Sequence, residues 1–256
     1  MVNILNLSRI CRCRFMINKV FLTLIIFSLI PSVLLGPLNA QIQWDYPSSL
    51  RPDVEFWKSV FTVYSENQSI LHDSENLNII YKVITFDSSF NTYQRENYLE
   101  KIKDEIKDDL IRLAERIPDP DKRTHFEHYL IELFGPGSLP ETFRQAARQI
   151  RSQQGMKERF AESLARSIPL LPYIREVFKK NNLPEELAYL PHIESSFNPL
   201  AKSRAGAAGM WQFMRSTARL YMKVNRIIDE RYDPLISTQA AARLLKYNYE
   251  QLGEWG

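Results

Sequence analysis

"LPEELAYLPHIESSFNP", residues 183–199, decides how the second half of this chain is read. Pro184 suits the first turn of a helix, where its missing N–H costs nothing. Leu187, Leu190 and Ile193 then recur at helical spacing, which predicts a helix over 184–195. Glu194 stands four residues after Leu190 and seven after Leu187, separations that share a helix face. The spacing therefore predicts a carboxylate on the buried side of a helix. A lone acid there has a plain reading, as a cap or a salt bridge to a nearby base such as Lys202 or Arg204. It also has a chemical one. Burial favours the protonated form of a carboxylic acid, the form that can donate a proton.

The residues that follow favour chemistry. "SSFNPLAKSRAGAAGMWQFM" (195–214) supplies hydroxyls, an amide, small residues and soft apolar side chains in close succession. That mixture suits a groove for a polar polymer with flat faces, such as a sugar chain. Around it the pattern is helix after helix, predicted over 170–180, 184–195, 209–221 and 237–252.

Upstream, Phe56, Val60, Phe61 and Tyr64 predict a helix. Two β-rich runs, 69–72 and 78–86, flank a polar "DSEN" and predict a hairpin. A long charged amphipathic helix follows over 93–117, carrying Leu99, Ile102, Ile106, Leu110 and Leu113, until the prolines of "PDPDKR" break it. Further helices are predicted over 125–134, 141–151 and 157–167.

Several chemistries are disfavoured. His125 and His128 stand three apart with Glu132 a turn later, which is not the spacing of a zinc protease helix and reads as helix surface. Gly206–Gly209 has neither the strand before it nor the lysine after it that a phosphate loop needs. There is no Gly-x-Ser-x-Gly. No metal and no cofactor are expected.

The N-terminus stands apart. Arg9, Arg12, Arg14 and Lys19 precede the apolar run "VFLTLIIFSLIPSVLLG" (20–36), and "PLNAQ" follows. A basic start, a short apolar run and a small residue before a polar segment describe a signal peptide over 1–40, ending at Ala40. The run is short for a membrane span and contains Pro31, so no transmembrane domain is expected after cleavage. Met16 offers a second start that gives a more compact leader. Both cysteines, Cys11 and Cys13, lie inside this segment, which leaves no thiol chemistry for the rest. The formal charge of +3 also belongs there. Without the four basic residues of the leader, 29 bases face 30 acids, a balance that offers no footprint for nucleic acid. With 45% hydrophobic and 25% charged residues, the remainder has the composition of a globular protein with a sizeable core.

"ESSFNPLAKSRAGAAGMWQFMRSTA" (194–218) resembles the soluble lytic transglycosylase domain, especially its membrane-bound type D branch. These bacterial enzymes cleave peptidoglycan. The matching positions are Glu194, Ser195, Asn198, Pro199, Ser203, Gly206, Ala207, Gly209 and Gln212. Downstream, Asp233, Pro234, Ser237 and Ala241 match the next family block, and "PYIREVFKKNNLPEELAYL" resembles the family lead-in. Arg215 stands where the family often has proline. The resemblance covers about residues 165–256 and stops at Gly256, before a family helix with a Tyr-Asn-Gly-like motif. Residues 50–90 look like the N-terminal part of related longer proteins.

The resemblance implies a mainly α chain. A goose-type lysozyme-like helical transglycosylase domain over 166–256, truncated at its C-terminus, follows a mostly helical region over 41–165 with a short hairpin. It implies that Glu194 is a single catalytic acid and base that cleaves the bond between N-acetylmuramic acid and N-acetylglucosamine without water. The 6-hydroxyl of the muramic acid then closes a 1,6-anhydro ring. Ser203 and Gln212 are implied to hydrogen-bond the sugar, Met214 to form an apolar wall, and Gly206 and Gly209 to allow close approach. Ser195 is implied to orient Glu194 or end its helix. The implied partner is a peptidoglycan glycan strand, in the periplasm or cell envelope. The alternatives are a lysozyme-like hydrolase and a non-catalytic wall-binding protein.

Overall fold

The computed structural model describes residues 48–135 and 137–253. The segment over 1–40 expected to be a signal peptide, with both cysteines, lies outside the described residues. The chain divides into two compact units, residues 46–157 and the residues from Glu158 on.

In the first unit, helix α1 (Arg51–Thr62) starts at a proline in its first turn and buries Val54, Phe56, Val60 and Phe61. Strands β1 (Gln68–Asp73) and β2 (Ile80–Thr85) pair antiparallel, as the two β-rich runs predict. A long helix, α2 (Thr92–Glu115), begins at a capping box in which Asn91 and Gln94 each accept the other's backbone N–H at 2.9 Å. Helix α3 (His125–Phe134) begins at a second capping box, between Thr124 and Glu127. Helix α4 (Pro140–Gln149) leads directly into β3 (Ile150–Gln154). The sheet order is β2-β1-β3, and its core joins Leu71, Tyr81 and Ile84 to Ile106, Leu110, Leu130 and Phe143 from the helices.

Strand β3 corrects the sequence reading, which continued the helix to 151. "IRSQQ" shows only one buried apolar residue, Ile150, and no alternation. What makes it a strand is the free edge of β1, whose backbone groups it satisfies from Asp73↔Ile150 to Ser69↔Gln154. Two histidines of this unit contact backbone carbonyls. His72 Nδ1 lies 2.9 Å from the Asp73 carbonyl oxygen, and His128 Nε2 lies 3.1 Å from that of Pro120.

The second unit opens with α5 (Lys157–Ser167) and α6 (Leu171–Lys180). The sequence division at 165/166 cut through α5. Its side chains reach later residues of the same unit, with Ser163 meeting His192 and Arg166 meeting Ser196. The single helix expected over 184–195 is two pieces, a 3-10 stretch at Glu185–Tyr189 and a short helix α7 (Leu190–Ser195). Pro191, without an N–H, sits at the start of α7, where no donor is needed. The helix expected over 209–221 is mostly turns, with only α8 (Arg215–Ala218) helical. Gly209 and Gln212 take positive φ, +78° and +47°, which a helix cannot contain. Helix α9 (Pro234–Leu252) is capped by Asp233, whose carboxylate accepts from Leu235 N at 2.8 Å and Ile236 N at 2.9 Å.

One apolar core holds these pieces together. Ile174 and Phe178 of α6, Phe197, Met210 and Trp211 of the loops, and Ala240–Ala242 of α9 are all buried in it. The alanines let α9 lie close to Trp211, whose Nε1–H donates to Thr238 Oγ1 at 3.0 Å. Among the described residues, no helix is long and apolar enough to cross a membrane.

Gly155 in the first unit is fixed by close approach. A β-carbon there would lie 2.3 Å from the carbonyl oxygens of both Tyr64 and Ser65. Gly155→Ala is expected to lower stability by about 1–3 kcal/mol, read as a reduced urea midpoint.

Candidate active site

Glu194 lies in the last turn of α7 and is half-buried, rather than buried as its spacing predicted. The change from 3-10 to α geometry breaks the phase that linked it to Leu187, and the helix ends one residue later. Ser196 takes the left-handed conformation there (φ +54°), followed by Phe197 at +56°. The helix ends at that point and leaves Glu194 partly exposed. The residues of α7 that go inside are Leu190, Pro191 and His192.

The residues after α7 build a tight double turn. Ser203 N donates to Ala207 O at 2.9 Å, and Ser203 Oγ accepts from Ala207 N at 3.0 Å. Ala208 and Phe213 exchange backbone hydrogen bonds at 3.1 Å, closing a second turn around Gly209. Gln212 Nε2 donates to Gly209 O at 2.8 Å across that turn. Met214, next along the chain, is 44% exposed, as a wall-forming residue must be. Ser195 Oγ donates to Met210 O at 2.8 Å and so fastens the end of α7 to the second turn. The sequence-predicted residues therefore belong to one continuous substructure around the end of α7. Lys202 and Arg204 are exposed on the first turn.

Gly209 has a different reason from the one expected. The close approach is made by the protein itself, since a β-carbon would lie 1.7 Å from the Arg231 carbonyl oxygen. Gly206 takes φ +89°, and its carbonyl accepts from Arg231 Nη1 at 2.9 Å.

Two residues that sequence reasoning passed over organise this region. Arg231 is buried, and its guanidinium grips Asp229 with two bonds, Nε–Oδ1 at 2.9 Å and Nη2–Oδ2 at 2.8 Å. Its Nη1 donates to Gly206 O and Phe213 O, both at 2.9 Å. The bonds from Arg231 hold the Asp229 carboxyl below its ordinary pKa. Nothing in "DERYDP" marks Arg231 as buried; the Asp-x-Arg spacing is its one signal.

The other is His192. Its ring is 2% exposed and sits edge-on to Phe197 at 4.4 Å, with Nδ1 2.7 Å from Ser163 Oγ. Nε2 has no hydrogen-bond partner among the described residues. Burial, assisted by the charge of Arg166, brings its pKa down to about 3.

Both observations are testable. Gly209→Ala should lose at least about 2 kcal/mol, since the positive φ and the Arg231 carbonyl each oppose a side chain. Chemical denaturation reads this directly. His192 is neutral above its ordinary pKa of 6.5 in both the folded and unfolded states, so it adds no pH dependence there. Below that, the unfolded chain takes up a proton that the folded chain refuses until pH falls to about 3. Stability should therefore drop as pH falls from 6.5 towards 3, by up to about 5 kcal/mol. Urea midpoints measured across that window should fall less steeply for His192→Phe.

Comparison with known proteins finds similarity in the second unit. Residues 172–256 match the family described as the transglycosylase SLT domain. The membrane-bound lytic murein transglycosylase D of Escherichia coli (strain K12) is 42% identical over 92 residues, 35% of this chain and 20% of the relative. A protein of Alteromonas sp. (strain M-1), named for tributyltin chloride resistance, is 39% identical over 93 residues, 36% of this chain and 45% of the relative. The chain thus spans about a fifth of the first relative and under half of the second. Within this chain, the similarity to that family lies in residues 172–256.

Proposed function

We propose that this chain is a lytic transglycosylase of the bacterial cell envelope, reaching the periplasm through the leader over 1–40, and that Glu194 is its catalytic acid and base. The substrate class follows from the family and from the E. coli relative, whose name states murein. The bond cleaved is the β-1,4 link from N-acetylmuramic acid to N-acetylglucosamine.

The observation that carries a one-carboxylate mechanism is the fate of the three acids that follow Glu194 first, Asp229, Glu230 and Asp233. Asp229 is held by Arg231, and Arg215 approaches it at 3.3 Å. Glu230 accepts the backbone N–H of Lys223, and Asp233 caps α9. Each of these three has a structural duty, and Glu194 lies half-buried at a helix end whose next residue, Ser195, is bonded to the second turn. A glycosidase that activates water uses two carboxylates. A single one suffices when the nucleophile belongs to the substrate.

The steps balance on that basis. Protonated Glu194 donates its proton to the glycosidic oxygen as the bond to C1 of the muramic acid breaks. The resulting carboxylate takes the proton of the C6 hydroxyl while that oxygen bonds to C1. Glu194 is left protonated, as it began, and no water is consumed. The ring closure is intramolecular, so orientation supplies much of its rate. Ser203 accepts a hydrogen bond from Ala207 N and still carries an O–H to donate to a sugar. Gln212 is braced by its bond to Gly209 O, and Met214 supplies an exposed apolar surface.

The test uses purified sacculi. Released muropeptides should end in 1,6-anhydro-N-acetylmuramic acid, each lighter by one water than a hydrolase product by mass spectrometry. Glu194→Gln should retain fold and glycan binding and lose at least about 10²–10⁴-fold in rate. Reducing ends alone would identify a hydrolase, and binding without turnover by the unmodified chain a wall-binding protein.

A further inference from the structure

A six-residue helix cannot hold a carboxylate in place by itself. Isolated helices shorter than about 12–15 residues are marginal in water. Helix α7 is entered from a 3-10 stretch and left through two consecutive residues at positive φ, so it borrows no rigidity from a longer helix. Its place is set from outside.

Two of the outside bonds come from one helix. Ser163 Oγ meets His192 Nδ1 at 2.7 Å, and Arg166 Nε donates to Ser196 O at 2.8 Å. Ser163 and Arg166 are three apart and share a face of α5. Their partners stand two residues before and two residues after Glu194, so α5 grips the chain on both sides of the acid. The His192 ring is further wedged against Phe197 and lies 5.6 Å from Phe160 of α5. At 2% exposure His192 cannot reach a substrate, so any part it takes in the reaction is exerted through Glu194.

We propose that α5 is the splint that sets the position of Glu194, with Ser163, His192 and Arg166 as positioning residues. The helix ends at Ser167, before the family-matched residues 172–256, so the functional unit begins upstream of the matched domain. The inference rests on the reading of Glu194 as the acid and base. A misplacement of about 1 Å in such a group can cost about 10²-fold in rate.

The experiment uses the full chain with soluble glycan-strand oligomers. Ser163→Ala and His192→Phe should each lower kcat by about 10–100-fold, with KM within about twofold of the unmodified protein. His192→Asn, whose amide reaches the position of Nδ1, should recover about tenfold over His192→Phe. The carbon-13 resonance of the Glu194 carboxyl should shift in Ser163→Ala and His192→Phe and move back in His192→Asn. An unchanged kcat in folded Ser163→Ala and His192→Phe overturns the splint. So does a loss that follows melting temperature and is not recovered by asparagine. If His192→Phe does not fold, Ser163→Ala against Ser163→Thr, which keeps the hydroxyl, decides in the same way. If the unmodified chain does not cleave glycan, the acid–base reading falls. The carboxyl resonance then decides the splint alone, and an unmoved signal in Ser163→Ala overturns it.

Discussion

A guanidinium removed from water keeps its charge and five N–H donors, and the fold must answer both. Arg231 is answered by the two oxygens of Asp229 and by the carbonyls of Gly206 and Phe213. A buried ion pair is costly to form and costlier to break, since either partner left alone is an uncompensated charge. The arrangement therefore tolerates little displacement of the two carbonyls. Gly206 and Phe213 bracket the second turn, so the backbone between them is pinned at both ends. Gly209 then passes so close to the Arg231 carbonyl that no side chain fits. From the pinned turn, Met210 O receives Ser195 Oγ, and Ser195 is the neighbour of Glu194. A short series of bonds thus runs from a buried charge to the acid at the end of α7.

How far the sequence revealed this depends on what kind of force sets each element. Where apolar periodicity and a cap agree, the element was legible. Helices α2 and α3 begin at capping boxes and follow their stripes, and α9 follows its stripe but starts at Pro234 behind the Asp233 cap, three residues before the predicted start at 237. Where tertiary pairing decides, it was not. Strand β3 carries polar residues and exists because β1 has an edge to satisfy. Residues 209–214 have helical periodicity in Met210 and Phe213, yet positive φ at Gly209 and Gln212 overrides it. Both residues are buried through turns instead of along a helix face.

The site was legible to a similar degree. Glu194 and the residues around the two turns stand out in the sequence because their types are unusual in company, and in the structure Ser195 bonds the end of α7 to the second turn. Their local duties were not visible. The sequence gives no hint that Ser195 reaches Met210, or that Gly209 yields to Arg231 and not to a ligand. His192 carries no sequence signal of its own. Its burial depends on Ser163, 29 residues earlier, a pairing that no local pattern encodes.

The distribution of polar groups in the second unit fits the chemistry proposed for it. Hydrolysis asks an enzyme to hold a water and a second carboxylate in addition to the acid. Intramolecular closure asks for one carboxylate, correctly placed, because the attacking hydroxyl is already tethered to the carbon it attacks. An enzyme of that kind gains little from further acids and much from stiffness. The three acids that follow Glu194 first are accordingly committed to scaffolding, one to Arg231, one to a backbone N–H and one to the cap of α9. The region around α7 is tied by side-chain bonds to backbone carbonyls, which leave little freedom to the turns they join. Rigidity here substitutes for the second carboxylate, and it is the property that a one-acid mechanism most requires of its fold.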